Sequence, residues 1–167
     1  MSFSLVPQYS FYGLADISPE FLKELGIKLL MLDLDNTVAA YSESSPSDSI
    51  ALWSLQVKEY GIELYIVSNS VRYGRVESFA QALQIKYVKR ASKPSPKVVL
   101  QVLGETGYKP GESALVGDQI YTDTIAANRA GVVSIVVRPR RFTNPFLALR
   151  YALEAPFRAM CRNKNRG

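Results

Sequence analysis

The chain is expected to fold as an α/β domain, a doubly wound parallel sheet sandwiched between helices in three layers. Three observations predict it. Short apolar runs without polar alternation, such as IKLLMLD from Ile27 to Asp33, fit strands buried on both faces. Segments of helical periodicity separate these runs, and that alternation builds parallel βαβ units with right-handed crossovers. At 167 residues, 47% hydrophobic and 21% charged, the chain is long enough for one sizeable core.

The elements follow in order. Residues 1–26 read as an N-terminal extension packed on the core, with a short helix in SPEFLKEL. Residues 27–141 form the core itself. After the strand IKLLMLD comes the helix SPSDSIALWSLQVKEYG, with Ser47 or Asp48 as N-cap and Gly61 as C-cap. IELYIVS is the second strand, RVESFAQAL a helix and IKYVKR a weaker strand. SPKVVLQVLGETG is a helix with Pro96 near its first turn and Gly107 just past its end. SALVGD is a strand, YTDTIAANRAG a helix and VVSIVV the last strand. Residues 142–167 are a basic helical tail.

Composition narrows the chemistry. The single cysteine, Cys161, excludes a disulfide within the chain. With no histidine, Ser-His-Asp and Cys-His catalysis are excluded and an ordinary zinc site is not expected. Carboxylates, hydroxyls, lysines and a bound ion remain. No apolar run approaches the roughly 20 residues of a membrane span, and the N-terminus lacks the basic region of a signal peptide. A cytoplasmic location is expected, with peripheral membrane contact as its one extension.

In open parallel sheets ligands sit outside the carboxyl ends of the strands. The first strand ends on Asp33-Leu34-Asp35-Asn36-Thr37 and the second on Ser68-Asn69-Ser70. The basic loop KRASKPSPK follows the third, and the fourth ends on Gly117-Asp118 with Asp123 close behind. One acid after a strand is ordinarily a cap or turn former. Four such endings in succession are much less easily produced by turn chemistry, and they would bring acids, hydroxyls and a lysine to one edge.

This set, with Lys93-Pro94 and Gly117-Asp118-Gln119-Ile120-Tyr121-Thr122-Asp123, resembles the haloacid dehalogenase (HAD) superfamily of phosphatases. All four motifs appear in order between about residues 10 and 140. The likeness is to subclass IIIA, the YqeG group, which is similar to mitochondrial phosphatidylglycerophosphate phosphatases. The resemblance implies a HAD-like, Rossmann-like fold and a phosphorylated substrate. It implies Asp33 as nucleophile, forming an aspartyl-phosphate, and Asp35 as general acid, then base. Magnesium would be held by Asp33, the backbone carbonyl of Asp35 and Asp118, with Asp123 behind them. Thr37, Asn69 and Ser68 would meet the substrate, and Lys93 would neutralise the phosphoryl charge. Lys97 rivals Lys93 for that role, but the family's lysine precedes a proline.

Asp35 to Ser68 has room only for a loop and one helix, and Ser68 to Lys93 only for a helix and a short strand. Family members acting on small metabolites usually insert a cap in one of these gaps. The resemblance therefore implies a capless, open site, suited to a large or surface-presented substrate such as a phosphorylated lipid. A phosphoprotein, a soluble metabolite and a non-catalytic module on the same fold are the alternatives. A receiver domain fits less well, because its phosphorylated Asp sits on the third strand.

Charge is unevenly spread. From Arg138 onward there are eight basic residues and one acid, Glu154, so the excess of +5 comes from the tail. Phe146, Leu149, Leu153, Phe157 and Met160 fall on one helical face, with Arg150, Glu154 and Arg158 beside it and Pro156 expected to kink or end the helix. The first expectation is that this face packs on the sheet or on the extension. The second is contact with an anionic membrane. Nucleic acid is disfavoured, since no stacking platform accompanies the charge.

Overall fold

The computed structural model describes residues 4–142, 145–161 and 163–164. One parallel sheet organises it. The strands are β1 (Tyr9–Ser10), β2 (Leu29–Leu32), β3 (Glu63–Val67), β4 (Lys86–Val88), β5 (Ser113–Gly117), β6 (Val133–Val136) and β7 (Asn163–Lys164). Their order across the sheet is β4-β3-β2-β5-β6-β1-β7, and every pairing is parallel. The helices are α1 (Pro19–Glu24), α2 (Asp48–Glu59), α3 (Arg75–Leu83), α4 (Lys97–Thr106), α5 (Ile125–Ala130) and α6 (Pro145–Ala159).

Strand alternation distributes the apolar runs to two cores. Leu30, Leu32, Leu64, Ile66 and Val116 face α2, α3 and the N-terminal segment, which contribute Trp53, Phe79 and Leu22. Leu29, Met31, Tyr65, Val67 and Leu115 face the other way, onto Val99 and Val102 of α4 and Ala126 and Ala127 of α5. Both faces being covered explains why these strands read as unbroken apolar runs. The winding reverses between β2 and β5: the chain passes from β2 outward to β3 and β4, then from β5 outward to β6. That reversal opens the crevice where α/β sheets bind ligands.

The N-terminal segment does more than lie on the core. Tyr9 and Ser10 extend the sheet beside β6, and the Trp53 indole N–H donates to the Ile17 carbonyl at 2.8 Å. Ser47 precedes α2 as N-cap, and Gly61 and Gly107 adopt left-handed φ of +77° just past α2 and α4. A π-turn over Ile120–Thr124 stands where the first turns of the fifth helix were expected. No domain is inserted between Asp35 and Ser68 or between Ser68 and Lys93, so the sheet's carboxyl edge is uncapped.

The tail differs from its first expectation. α6 runs unbroken past Pro156 to Ala159. Pro156 falls near the helix end and is exposed, as is residue 152, whose carbonyl loses a partner that water can replace. Most of the apolar face expected to pack does not: Phe146, Leu149, Leu153 and Met160 are 58–69% exposed, and of the five only Phe157 is half-buried, edge-on to the Tyr121 ring. The helix is held instead through Leu147 and Glu154, both buried. The side chains of Arg162, Lys164 and Arg166 lie outside the described residues.

Candidate active site

Parallel registry puts the acids together. Leu32 pairs with Val116, and the Asp33 N–H donates to the Val116 carbonyl at 2.9 Å, so Asp33 and Asp118 leave adjacent strands side by side at the reversal. Asp123 reaches the same point from the π-turn. Carboxylate oxygens of Asp33, Asp118 and Asp123, all buried, lie within 4.8 Å of one another. Gly117 makes room for this: a Cβ there would stand 2.2 Å from Asp123 Cγ.

Such a cluster repels itself unless cations intervene, and one is built in. Lys93 Nζ is buried and lies 2.6 Å from Asp33 Oδ1 and 2.6 Å from Asp123 Oδ1, and it donates to the Val67 carbonyl at 2.8 Å. Burial opposes the ammonium charge, but Asp123 and Asp33 outweigh it and hold the Lys93 pKa above its ordinary value. Burial also pushes the Asp33 carboxyl up to about 7; Lys93 works against that rise and Asp123 adds to it. Asp118 is raised well above the usual carboxylate range by burial first, then by the charges of Asp33 and Asp123. Both of its carboxylate oxygens are buried without a hydrogen-bond partner.

Orphaned hard oxygens beside two further carboxylates are what a divalent cation takes as ligands. The three-acid cluster fits such an ion, and its donor set contains no soft atom.

The remaining expected residues divide. Asp33, Asp35, Ser68, Asn69, Lys93 and Asp123 line one open cavity of about 290 Å³, with Tyr41, Val71, Arg72, Gln119 and Thr122. Thr37 is buried, its hydroxyl 3.5 Å from Asp33 Oδ2. The Ser68 hydroxyl accepts from the Ser70 N–H at 3.0 Å. Lys97 is exposed at the start of α4 and does not line the cavity.

Asn69, expected to meet substrate, has both ends of its amide engaged elsewhere. Its Oδ1 accepts from the Lys93 N–H at 2.9 Å, and its Nδ2 donates to the Lys93 carbonyl at 3.1 Å. It fixes the loop that carries the lysine. Asp35 leads into a turn in which the next residue, Asn36, takes φ +64°, a conformation Asn tolerates better than most side chains.

Sequence reasoning missed three contributors. Arg75, the buried first residue of α3, donates from Nε to Asp35 Oδ1 at 2.9 Å and from its terminal nitrogens to the Ala40 and Glu43 carbonyls. Glu154 and Arg158 act from α6. Glu154 Oε1 accepts from the Ile120 and Tyr121 N–H groups at 2.9 and 3.3 Å. Arg158 bonds Glu154 Oε2 at 3.0 Å and donates to the carbonyls of Val137 and Asp118. A run of helical arginines and one glutamate carries no sequence signal for such a clamp.

Fold and site together define a phosphohydrolase built on a parallel sheet, with acids and a lysine at the winding reversal. Comparison with known proteins agrees. Residues 90–145 match the HAD-hydrolase-like family model. The chain is 31% identical over 151 residues to a protein described as probable phosphatase YqeG from Bacillus subtilis, covering 90% of this chain and 87% of that one. It is 28% identical to phosphatidylglycerophosphate phosphatase 1 of Arabidopsis thaliana, over 86% of this chain but 44% of that one. Among solved structures, the cobalt-bound deoxy-D-mannose-octulosonate 8-phosphate phosphatase of Haemophilus influenzae superposes with a TM-score of 0.55 at 11% identity, covering 82% of this chain and 92% of that one. The chain therefore belongs to the haloacid dehalogenase superfamily, in the YqeG group of phosphatases. It is a phosphoric monoester hydrolase.

Proposed function

We propose that the chain is a magnesium-dependent phosphomonoesterase that works through an aspartyl-phosphate on Asp33. The observation that carries this reading is the Asp33 carboxylate, which lines the open cavity 2.6 Å from Lys93 Nζ and has the buried, unpartnered carboxylate of Asp118 beside it. Asp33 attacks phosphorus while the bond to the ester oxygen breaks, and Asp35 gives its proton to the departing alkoxide. Asp35 then takes a proton from water as that water attacks the phosphorylated Asp33, releasing inorganic phosphate and restoring the carboxylate.

Arg75 holds one oxygen of Asp35 and leaves the other for these transfers. Asp33, the Asp35 carbonyl and Asp118 would hold Mg²⁺, with Asp123 tethering Lys93 behind them. The ion would supply positive charge against the phosphoryl oxygens. Ser68, Thr37 and Lys93 would share the rest of that charge. Asn69 serves by positioning Lys93.

The substrate we favour is a lipid phosphate presented at a membrane. The uncapped edge supports this, as does the similarity to an enzyme named for phosphatidylglycerophosphate. No described helix is long and apolar enough to cross a membrane, so such a substrate would be met from outside the bilayer. The test is phosphate release from phosphatidylglycerophosphate in micelles, a phosphopeptide and a soluble alkyl phosphate, with Mg²⁺ and with excess chelator. Release on Mg²⁺ and none in chelator is expected, with the lipid turned over fastest. Full turnover in chelator contradicts the metal-assisted mechanism, and a preference for phosphopeptide contradicts the lipid assignment.

A further inference from the structure

α6 is inside out. Every exposed residue of the helix and of the turn that ends it is Pro, Ala, Phe, Leu or Met. The charged residues of the helix are turned the other way. Glu154 is 1% exposed, Arg158 clamps the backbone at Asp118, and Arg150 acts electrostatically on both Tyr41 and Asp118. A surface helix ordinarily shows the reverse pattern, and an exposed apolar strip of this length marks a docking site.

Charge says what docks there. The strip carries no acid, because the one acid of the tail is buried and paired with Arg158. Cations bracket it in sequence: before the helix Arg141, with Arg138 stacked on Tyr12 and Arg140 paired with Glu43, and after it Arg162, Lys164 and Arg166. An apolar strip between basic ends matches an anionic bilayer, whose acyl region takes the strip and whose headgroups take the cations. A second copy of this chain matches poorly, because a two-fold interface sets the same patch against itself and brings like charges together. The strip also borders the site. Arg150 acts electrostatically on Tyr41, Tyr41 lines the cavity, and Arg72, which lines it too, donates to the Tyr41 carbonyl. Val71, on the cavity lining, is 79% exposed, and Tyr73, two residues on, fully so.

We propose that the outer face of α6, from Phe146 to Met160, docks the enzyme on anionic lipid bilayers with the cavity mouth beside the headgroups. This deepens the reading of the site as a lipid-phosphate phosphatase and rests on it. The helix then has two jobs: its inner face holds the Asp118–Tyr121 backbone, and its outer face holds the membrane.

The experiment is co-sedimentation of the full chain with vesicles of phosphatidylcholine alone and of equal parts phosphatidylcholine and phosphatidylglycerol. Turnover of a soluble alkyl phosphate is read in parallel. Wild type should bind the anionic vesicles, ignore the neutral ones and release as salt rises. The double variant Leu149→Ser, Leu153→Ser should bind about tenfold more weakly or worse. Ala152→Glu, which sets an acid on the same face without touching the core, should do likewise. Both variants should turn over the soluble ester like wild type, which certifies their fold. Wild type that turns over the ester but binds no vesicle at low salt overturns the docking proposal and leaves the phosphatase standing. Variants that bind like wild type overturn it as well. So does a wild-type dimer that the variants convert to monomers, because the face is then covered by a second copy. No turnover of any ester by wild type with Mg²⁺ strikes the phosphatase reading instead.

Discussion

The carboxyl edge of the sheet and the tail helix solve opposite problems. At the edge, three acids and a lysine are buried together: Lys93 pairs with Asp33 and Asp123, the Gln119 N–H donates to Asp123 Oδ2, and both oxygens of Asp118 are left without a hydrogen-bond partner. On α6 the buried Glu154 and the half-buried Arg158 both have partners: Glu154 takes two backbone N–H groups and a guanidinium, and Arg158 takes two carbonyls. The edge keeps unsatisfied charge for chemistry, while the helix uses satisfied charge as fastening. Apolar residues reverse in the same way. They wall the edge strands on both faces and lie open to solvent on the helix.

Substitutions should separate these two uses of buried charge. The largest effect is expected at Asp33. Asp33→Asn should lower turnover by about 10⁴-fold or more while leaving the circular dichroism unchanged, because the amide keeps the shape and loses the nucleophile. Substantial phosphate release by this variant removes Asp33 from the reaction.

Lys93→Met comes next. Removing one partner of a buried ionic cluster costs about 3–5 kcal/mol, and denaturant unfolding at neutral pH should show a loss of that order. The same cluster dictates a pH trend for the metal-free wild type. Asp33 is raised from its ordinary value to about 7, so between roughly pH 4 and 7 the folded chain binds more protons than the unfolded one. Stability should fall as pH rises through that window, and Mg²⁺ should restore it. Thermal melts with chelator and with Mg²⁺ read this directly, and melting points that climb with pH in chelator contradict the burial argument.

Gly117→Ala places a Cβ 2.2 Å from Asp123 Cγ and must push that carboxylate off Lys93. Misplacement on the ångström scale costs about 10²-fold in turnover, and the assay should show that drop without unfolding. Smaller again is Glu154→Ala, which leaves the Ile120 and Tyr121 N–H groups without their acceptor and should cost about 1–3 kcal/mol of stability. Leu149→Ser, one turn away on the outer face, should change stability by no more than about 0.5 kcal/mol. Equal losses from Glu154→Ala and Leu149→Ser erase the distinction between the two faces.

The two regions were not equally legible in the sequence. Acids at the ends of apolar strands stand out because turn chemistry rarely places four polar clusters at successive strand exits, and the sheet's winding then brings them together. The three-layer sheet was legible for a related reason: strands covered on both faces cannot alternate polar and apolar residues. Arg75 was not legible, because a basic residue at a helix start reads as solvated until the loop at residues 40–43 is known to fold over it. Nor was β1, whose two residues are a strand only because β6 lies alongside. The tail shows the limit most plainly. Periodicity located the apolar stripe from Phe146 to Met160, but a stripe does not say which side of a helix meets the protein. Glu154 and Arg158 decided that, by bonding backbone groups of the π-turn and of the residue after β6.

The most direct test of the aspartyl-phosphate at Asp33 is to find the phosphate there. Asp35→Asn should slow release of the phosphoryl group, so this variant, mixed with Mg²⁺ and a radiolabelled alkyl phosphate and then quenched in acid, should retain label on the peptide containing Asp33. The double variant Asp33→Asn, Asp35→Asn should retain none. Label on another peptide, or rapid turnover by Asp35→Asn with no label at Asp33, contradicts the account.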